Sequence, residues 1–351
     1  MNYRSVSDLN EAIKCWICQL PEDLNIIVGI PRSGLLVANL LALYLNLPLT
    51  DVEGLCQRRI LSTGPRLDEK RIPNFSNKDL KVLVVDDSVY SGTQMEKVKE
   101  KIESAKLPYR IYYGAVYITP HGHKYVDYWY EIVDLPRCFE WNIMHHGILT
   151  SSCVDIDGVL CRDPTEEEND DGERYREFLA NVKPLLVPTK PIGWLVTCRL
   201  EKYRELTESW LRKHGIQYKC LLMMGLPDKA TRLALGNHAK FKAEIYKSVN
   251  ASLFIESSYQ QALEIAQRTG KPVFCFETGQ MIKPGFAMKN YNRLKRLAKE
   301  ISLHPFNFPI KVLRFLKRNL GILYYKMLAK RKKMVKLRKD RDSKIWHSRE
   351  R

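Results

Sequence analysis

The stretch KVLVVDDSVYSGTQM (residues 81–95) sets a short apolar run against two adjacent aspartates, Asp86 and Asp87, and closes on a Ser-Gly-Thr turn at the head of a helical pattern. Val82, Leu83, Val84 and Val85 in unbroken succession read as a strand buried on both faces, the mark of a parallel sheet. Two carboxylates side by side at the end of such a strand repel each other unless hydroxyls or a cation meet them. A small-residue turn entering a helix offers main-chain N–H groups to an anion. A sugar phosphate meets both demands. Asp86 and Asp87 would accept from two vicinal ribose hydroxyls. Ser91, Gly92, Thr93 and the helix N-terminus would hold the phosphate, with Gly92 letting the backbone come close.

Outward from this stretch, short apolar runs recur, each followed by a helical pattern: NIIVGI (25–30), YGAVYI (113–118), SCVDI (152–156), WLVT (194–197), CLLMM (220–224), SLFIE (252–256) and PVFCF (272–276). Strand alternating with helix predicts an α/β protein, with two Rossmann-like parallel-sheet domains followed by a basic amphipathic helical tail. The expected bounds are 1–147, 148–281 and 282–351. No Pro/Ser-rich linker separates the first two segments, so they are expected to pack together, and the acidic run at 166–173 reads as a solvated loop.

A second segment, IIVGIPRSGLLVANLLALYL (26–45), places Arg32, Ser33 and Gly34 between a strand and an apolar helix. Taken singly, an Asp-Asp pair before a turn also suits a helix cap, and PRSG also suits an ordinary turn. Together, in this order and about 50 residues apart, the two segments resemble the type I phosphoribosyltransferases. The resemblance spans roughly residues 1–145. It implies that Arg32, Ser33 and Gly34 face the diphosphate of phosphoribosyl diphosphate (PRPP), with Mg²⁺ as its counter-ion, and that Asp86, Asp87, Ser91, Gly92 and Thr93 hold the ribose 5-phosphate. Two positions depart from the family: Gln94 stands where a Thr or Ser often ends the loop, and Tyr90 stands where purine-salvage members carry an aspartate. The basic stretch QRRILSTGPR (57–66), with Arg58, Arg59 and Arg66, matches the place of a mobile loop in that family.

The segment SCVDIDGVLC sets Asp155 and Asp157 two residues apart before a glycine, and strand alternation would point both carboxylates the same way. One can attack phosphorus while the other protonates the leaving oxygen. This resembles the haloacid-dehalogenase-type phosphatases. The resemblance implies that Thr197 binds the phosphoryl group, that Lys242, with Lys240 the weaker choice, neutralises charge, and that Glu256 is a metal-binding acid. It further implies Mg²⁺ held by Asp155, the main-chain carbonyl of Asp157 and Glu256. Glu256-Ser257 departs from the paired acids of many relatives, and the roughly 40 residues between the first two motifs leave no room for a large cap.

The formal charge of +17 is not evenly spread: from residue 282 onward, 22 Lys and Arg face 4 Asp and Glu. The basic character therefore belongs to the tail. There, Leu313, Leu316, Leu320, Leu323 and Met327 recur at helical spacing among Lys311, Arg314, Lys317, Arg318 and Lys326. Phe315, Tyr324 and Tyr325 beside the leucines favour an anionic membrane surface over a protein partner or nucleic acid. Nine irregularly spaced cysteines fit reduced thiols, which with no signal peptide or membrane-spanning run leads to a cytoplasmic expectation, peripheral at the inner face of the membrane. CWIC (15–18), His121, His123, His145 and His146 lack companion ligands, and Trp141 reads as packing at the domain junction.

A transferase using PRPP leaves a 5-phosphate that a phosphatase on the same chain can remove, so the expected product is an acceptor carrying plain ribofuranose. The acceptor expected beside a membrane-binding tail is a lipid-linked glycan in bacterial polysaccharide synthesis. Two alternatives stand: a nucleobase phosphoribosyltransferase with a nucleotide phosphatase, and a PRPP-sensing regulator that binds RNA.

Overall fold

Apolar strands of three to nine residues form the centre of two parallel sheets, because strands covered by helices on both faces have no polar side. The computed structural model describes residues 1–61, 64–236 and 238–283. In chain order the strands are β1 (Asn2–Arg4), β2 (Ile26–Gly29), β3 (Leu49–Asp51), β4 (Lys81–Val89), β5 (Arg110–Ile118), β6 (Tyr128–Ile132), β7 (Arg137–Phe139), β8 (Ser152–Val154), β9 (Ile192–Leu200), β10 (Tyr218–Met224), β11 (Leu253–Glu256), β12 (Val273–Cys275) and β13 (Gln280–Ile282). The helices are α1 (Val6–Trp16), α2 (Ser33–Leu45), α3 (Val52–Cys56), α4 (Thr93–Ser104), α5 (Glu173–Asn181), α6 (Arg204–Lys213), α7 (Lys229–Leu235), α8 (His238–Ser248) and α9 (Tyr259–Thr269). All eight apolar runs named above became strands; β1, β3, β6, β7 and β13 were not foreseen.

The first sheet is parallel throughout, in the order β3-β2-β4-β5-β6. Alternation along β4 divides its core. Leu83 and Val85 pack with Trp16 of α1 and Leu41 of α2, whereas Val82 and Val84 pack with Val98 and Ile102 of α4. The second sheet runs β10-β9-β8-β11-β12-β13, parallel except for the hairpin strand β13. Its α5–α6 side buries Phe178, Leu179, Trp210 and Leu211, and its α8–α9 side buries Tyr246, Ala262 and Ile265.

A third, two-stranded pairing of β1 with β7 joins these bodies. Cys138, Ile143 and Met144 belong to the apolar cluster of the second sheet, and the Tyr3 hydroxyl donates to the Gly279 carbonyl at 2.5 Å. Residues 1–284 therefore form one compact unit. The expected basic tail lies outside the described residues.

The run at 166–173 is a loop up to the start of α5 with no buried residue, as expected, and two of its acids are tied to neighbouring groups. Asp170 accepts from the Gly172 and Tyr175 amides, and Asp171 accepts from Lys202 Nζ, Tyr203 Oη and the Lys229 amide.

Candidate active sites

The first site forms where β2 stops and β4 continues. Their pairing ends at Gly29 opposite Val85, and β4 carries Asp86 and Asp87 onward with only β5 beside them, in the crevice where open parallel sheets take ligands. The acids thus lie in the last four residues of the strand, at its end as expected. The Arg32-Ser33-Gly34 turn that opens α2 reaches them directly. Ser33 Oγ donates to Asp87 Oδ1 at 2.9 Å, and a Cβ on Gly34 would lie 2.6 Å from the Val85 carbonyl oxygen. The glycine is what lets the two segments touch. Gly92 has φ +82°, and a Cβ there would also strike the Tyr125 ring. It caps α4 with Ser91 Oγ and Thr93 Oγ1 3.0 Å apart beside it. Arg32 is exposed, with Nη2 3.4 Å from Asn142 Oδ1, and Arg58, Arg59 and Arg66 are exposed as well.

Asp87 is almost wholly buried, and its second oxygen accepts from Trp141 Nε1 at 2.7 Å. Trp141 therefore packs at the junction, between Phe139 of the first sheet's cluster and Ile143 of the second's, and also touches the first candidate site. It ends a stack of three rings, with Tyr117–Phe139 and Phe139–Trp141 centroids 5.4 and 5.0 Å apart. Arg137, not foreseen, is buried over the Phe139 and Tyr90 rings, and its Nη1 has no hydrogen-bond partner among the described residues. An arginine inside the short apolar run of β7 was the available signal. Burial, and then the charge of Asp87, push the Asp86 carboxyl up to about 8.

The second site gathers at the carboxyl edge of β8, β9 and β11. Lys242 Nζ, from α8, donates to Asp155 Oδ2 at 2.6 Å, Glu256 Oε2 at 2.8 Å and Gln261 Oε1 at 3.2 Å. Asp155, Lys242 and Glu256 are all buried. Lys240 instead is half exposed, 4.0 Å from Glu244, so the sequence preference for Lys242 agrees with its position. Burial raises Asp155 well above the ordinary carboxylate range although Lys242 opposes it. Burial alone would lower Lys242, but Asp155 and Glu256 outweigh it and keep the ammonium charged. β8 ends at Val154, so alternation does not orient the acids; the turn does, and both still line one cavity. Gly158, at φ +77°, permits the turn, and a Cβ there would meet Ser257 Cβ at 2.5 Å.

Two features depart from expectation. Arg199, fully buried on β9, donates to both oxygens of Asp157 at 2.6–3.2 Å, so the expected proton donor is held in an ion pair. Thr197 has no exposed surface, and its hydroxyl accepts from the Arg199 amide at 3.2 Å, away from the cavity lining.

With this geometry in view, the comparisons with known proteins address the first half of the chain. Residues 5–148 match the family model of the phosphoribosyl transferase domain. The same segment is similar to the purine phosphoribosyltransferase from Pyrococcus horikoshii Ot3, at 22% identity over 40% of this chain and 92% of that one, with a TM-score of 0.30. It is similar to the xanthine-guanine-hypoxanthine phosphoribosyltransferase of Helicobacter pylori at 17% identity, over 40% and 92% of the two chains, with a TM-score of 0.31. The orotate phosphoribosyltransferase from Aeropyrum pernix shares 21% identity over 37% and 71%, with a TM-score of 0.26. No curated protein matches the chain.

The other sequence candidates find local partners. His146 Nδ1 accepts from the Ile148 amide, His145 Nδ1 lies 3.2 Å from Thr189 Oγ1, and His123 Nδ1 lies 2.8 Å from the Pro120 carbonyl. All nine cysteines are free. Among the described residues no three His, Cys, Asp or Glu side chains converge to hold a metal, and no helix is long and apolar enough to cross a membrane. In the second site the Lys242 ammonium is shared by the buried Asp155 and Glu256 carboxyl groups, the two acids expected to hold Mg²⁺.

Proposed function

We propose that the chain transfers 5-phosphoribosyl from PRPP to an acceptor and then removes the 5-phosphate, leaving ribofuranose. The observation that carries this reading is the joining of Ser33 and Gly34 to the Asp86–Asp87 pair within the transferase domain, beside the α4 N-terminus. On this reading Asp86 and Asp87 accept from the ribose hydroxyls, Ser91, Gly92 and Thr93 hold the 5-phosphate, and Arg32, Ser33 and Gly34 face the leaving diphosphate. Mg²⁺, arriving with the diphosphate, supplies neutralising charge. The partition into 1–147, 148–281 and 282–351 follows the same reading.

In the second half, Asp155 Oδ attacks phosphorus and the bond from phosphorus to the ribose 5-oxygen breaks. That oxygen takes a proton from Asp157, which must first part from Arg199 and be protonated. Water then cleaves the aspartyl phosphate, returning its proton to Asp157 and releasing phosphate. Asp155, Glu256 and the Asp157 carbonyl would hold a Mg²⁺ ion, whose charge offsets that of the phosphoryl group. The acceptor on this reading is a lipid-linked glycan, supported by the order of the two activities and by the charge beyond residue 282, which suits an anionic membrane surface.

Mass analysis of products from PRPP, Mg²⁺ and a panel of lipid-linked acceptors tests the reading. The intact chain is expected to yield acceptor plus ribose with free phosphate, and Asp155→Asn to accumulate acceptor plus phosphoribose. Identical products from both proteins would remove the phosphatase step. A second reading, with a nucleobase as acceptor, draws support from the flat aromatic stack of Tyr117, Phe139 and Trp141 beside Asp87. Ribosylation of a free base and of no glycan would favour it.

A further inference from the structure

The cavity over Asp155 contains two basic side chains to which neither resemblance gives a part. It holds about 140 Å³, room for a phosphate group, and is lined by Asp155, Asp157, Lys242, Asn169, Arg232 and His238 among others. Arg232 comes from α7, a short helix fastened in place: Asp228 accepts from the Thr231 amide at 2.7 Å, and Asp171 accepts from the Lys229 amide at 3.0 Å. The arginine is 8% exposed. Its Nη1 donates to the Cys198 carbonyl at 2.9 Å and its Nη2 lies 3.4 Å from Asn169 Oδ1, but its Nε has no hydrogen-bond partner among the described residues. His238 opens α8 one turn before Lys242, and its Nε2 is likewise buried without a partner. A buried donor without an acceptor is costly unless a ligand supplies one.

The groups expected to meet a phosphate are otherwise engaged. Lys242 spends its three protons on Asp155, Glu256 and Gln261, and Thr197 does not line the cavity. We infer that Arg232, with His238 beside it, is the phosphate-binding pair of this cavity, so that α7 rather than the β9 threonine recognises the dianion of a phosphomonoester. The identity of the ester rests on the phosphatase reading; binding of the anion does not, because it requires no turnover.

Calorimetry with inorganic phosphate on the intact full-length chain, and with ribose 5-phosphate on the Asp155→Asn chain, separates product from substrate as the source of the anion. Arg232→Met is expected to weaken both ligands at least tenfold, Arg232→Lys to restore part of the loss, and His238→Asn to weaken binding several-fold. In turnover, Arg232→Met should raise KM more than it lowers kcat. Unchanged phosphate affinity in a folded Arg232→Met protein, or no phosphate binding by the intact chain, overturns the inference. If Arg232→Met fails to fold, unchanged affinity in both Arg232→Lys and His238→Asn overturns it equally. Phosphate bound through Arg232 by a protein that hydrolyses no ester would leave the anion site standing and remove the phosphatase reading.

Discussion

Asp86 concentrates the electrostatics of the first site in one carboxyl. Its pKa, raised to about 8 by burial and by Asp87, keeps it protonated near neutral pH in the free protein. The unfolded chain releases the same proton at about 3.9. Between these values the folded state binds more protons than the unfolded state, so stability from this group is lost as pH rises toward 8. Ribose hydroxyls donate to the ionised form, so PRPP binding expels the proton and is expected to tighten from pH 6 to about 8, then level off. Asp86→Asn should flatten both trends, measured as melting temperature without ligand and as PRPP affinity across pH. A pH-independent affinity in the unmodified protein would argue against ionised Asp86 as the ribose ligand.

The elements of the first site meet because one residue has no side chain. α2 can rest its first turn on β4 only where Gly34 passes the Val85 carbonyl, and any Cβ there would sit at 2.6 Å. Gly34→Ala is expected to cost about 1–3 kcal/mol in denaturant unfolding, the usual range for overpacking. It should also weaken PRPP binding by lifting Ser33 from Asp87, while hydrolysis of small phosphate esters at the second site persists. Loss of stability with unchanged PRPP affinity would separate packing from ligand geometry. In the second sheet the corresponding device is Gly158 against Ser257.

Across the whole molecule, the β1–β7 pair makes the two sheets one body. Tyr3, Cys138, Ile143 and Met144 pack into the second sheet's core, although all precede residue 148. Equilibrium unfolding of residues 1–283 is therefore expected to show one transition by tryptophan fluorescence and by far-UV circular dichroism. A 1–147 fragment should expose that apolar surface and aggregate. Two separated transitions would mean that the sheets fold independently. The basic segment makes a separate prediction. If the proposed membrane and phosphatase roles hold, removing residues 305–351 should release the protein from anionic liposomes while leaving small phosphate-ester hydrolysis intact. Full retention on liposomes after the deletion would assign the segment another role.

Much of this was legible in the order of residues alone. Continuous apolar runs specify buried parallel strands, since a strand covered on both faces has no polar side, and all eight runs formed strands. Acids, glycines and hydroxyls at their ends marked both candidate sites because these features are local: a turn, a cap, a pair of carboxylates. Lys242 over Lys240 was also readable, and α8 buries the one and exposes the other. The tertiary structure alone decided which distant side chains complete each site. Trp141 reaches Asp87 across 54 positions, Arg199 pairs with Asp157 across 42, and Arg232 reaches Asn169 across 63. Burial gives these contacts their meaning, because a hydrogen bond or charge that water would screen at the surface is held in one geometry in the interior. Burial depends on how β7, β9 and α7 pack, which no short stretch of sequence encodes.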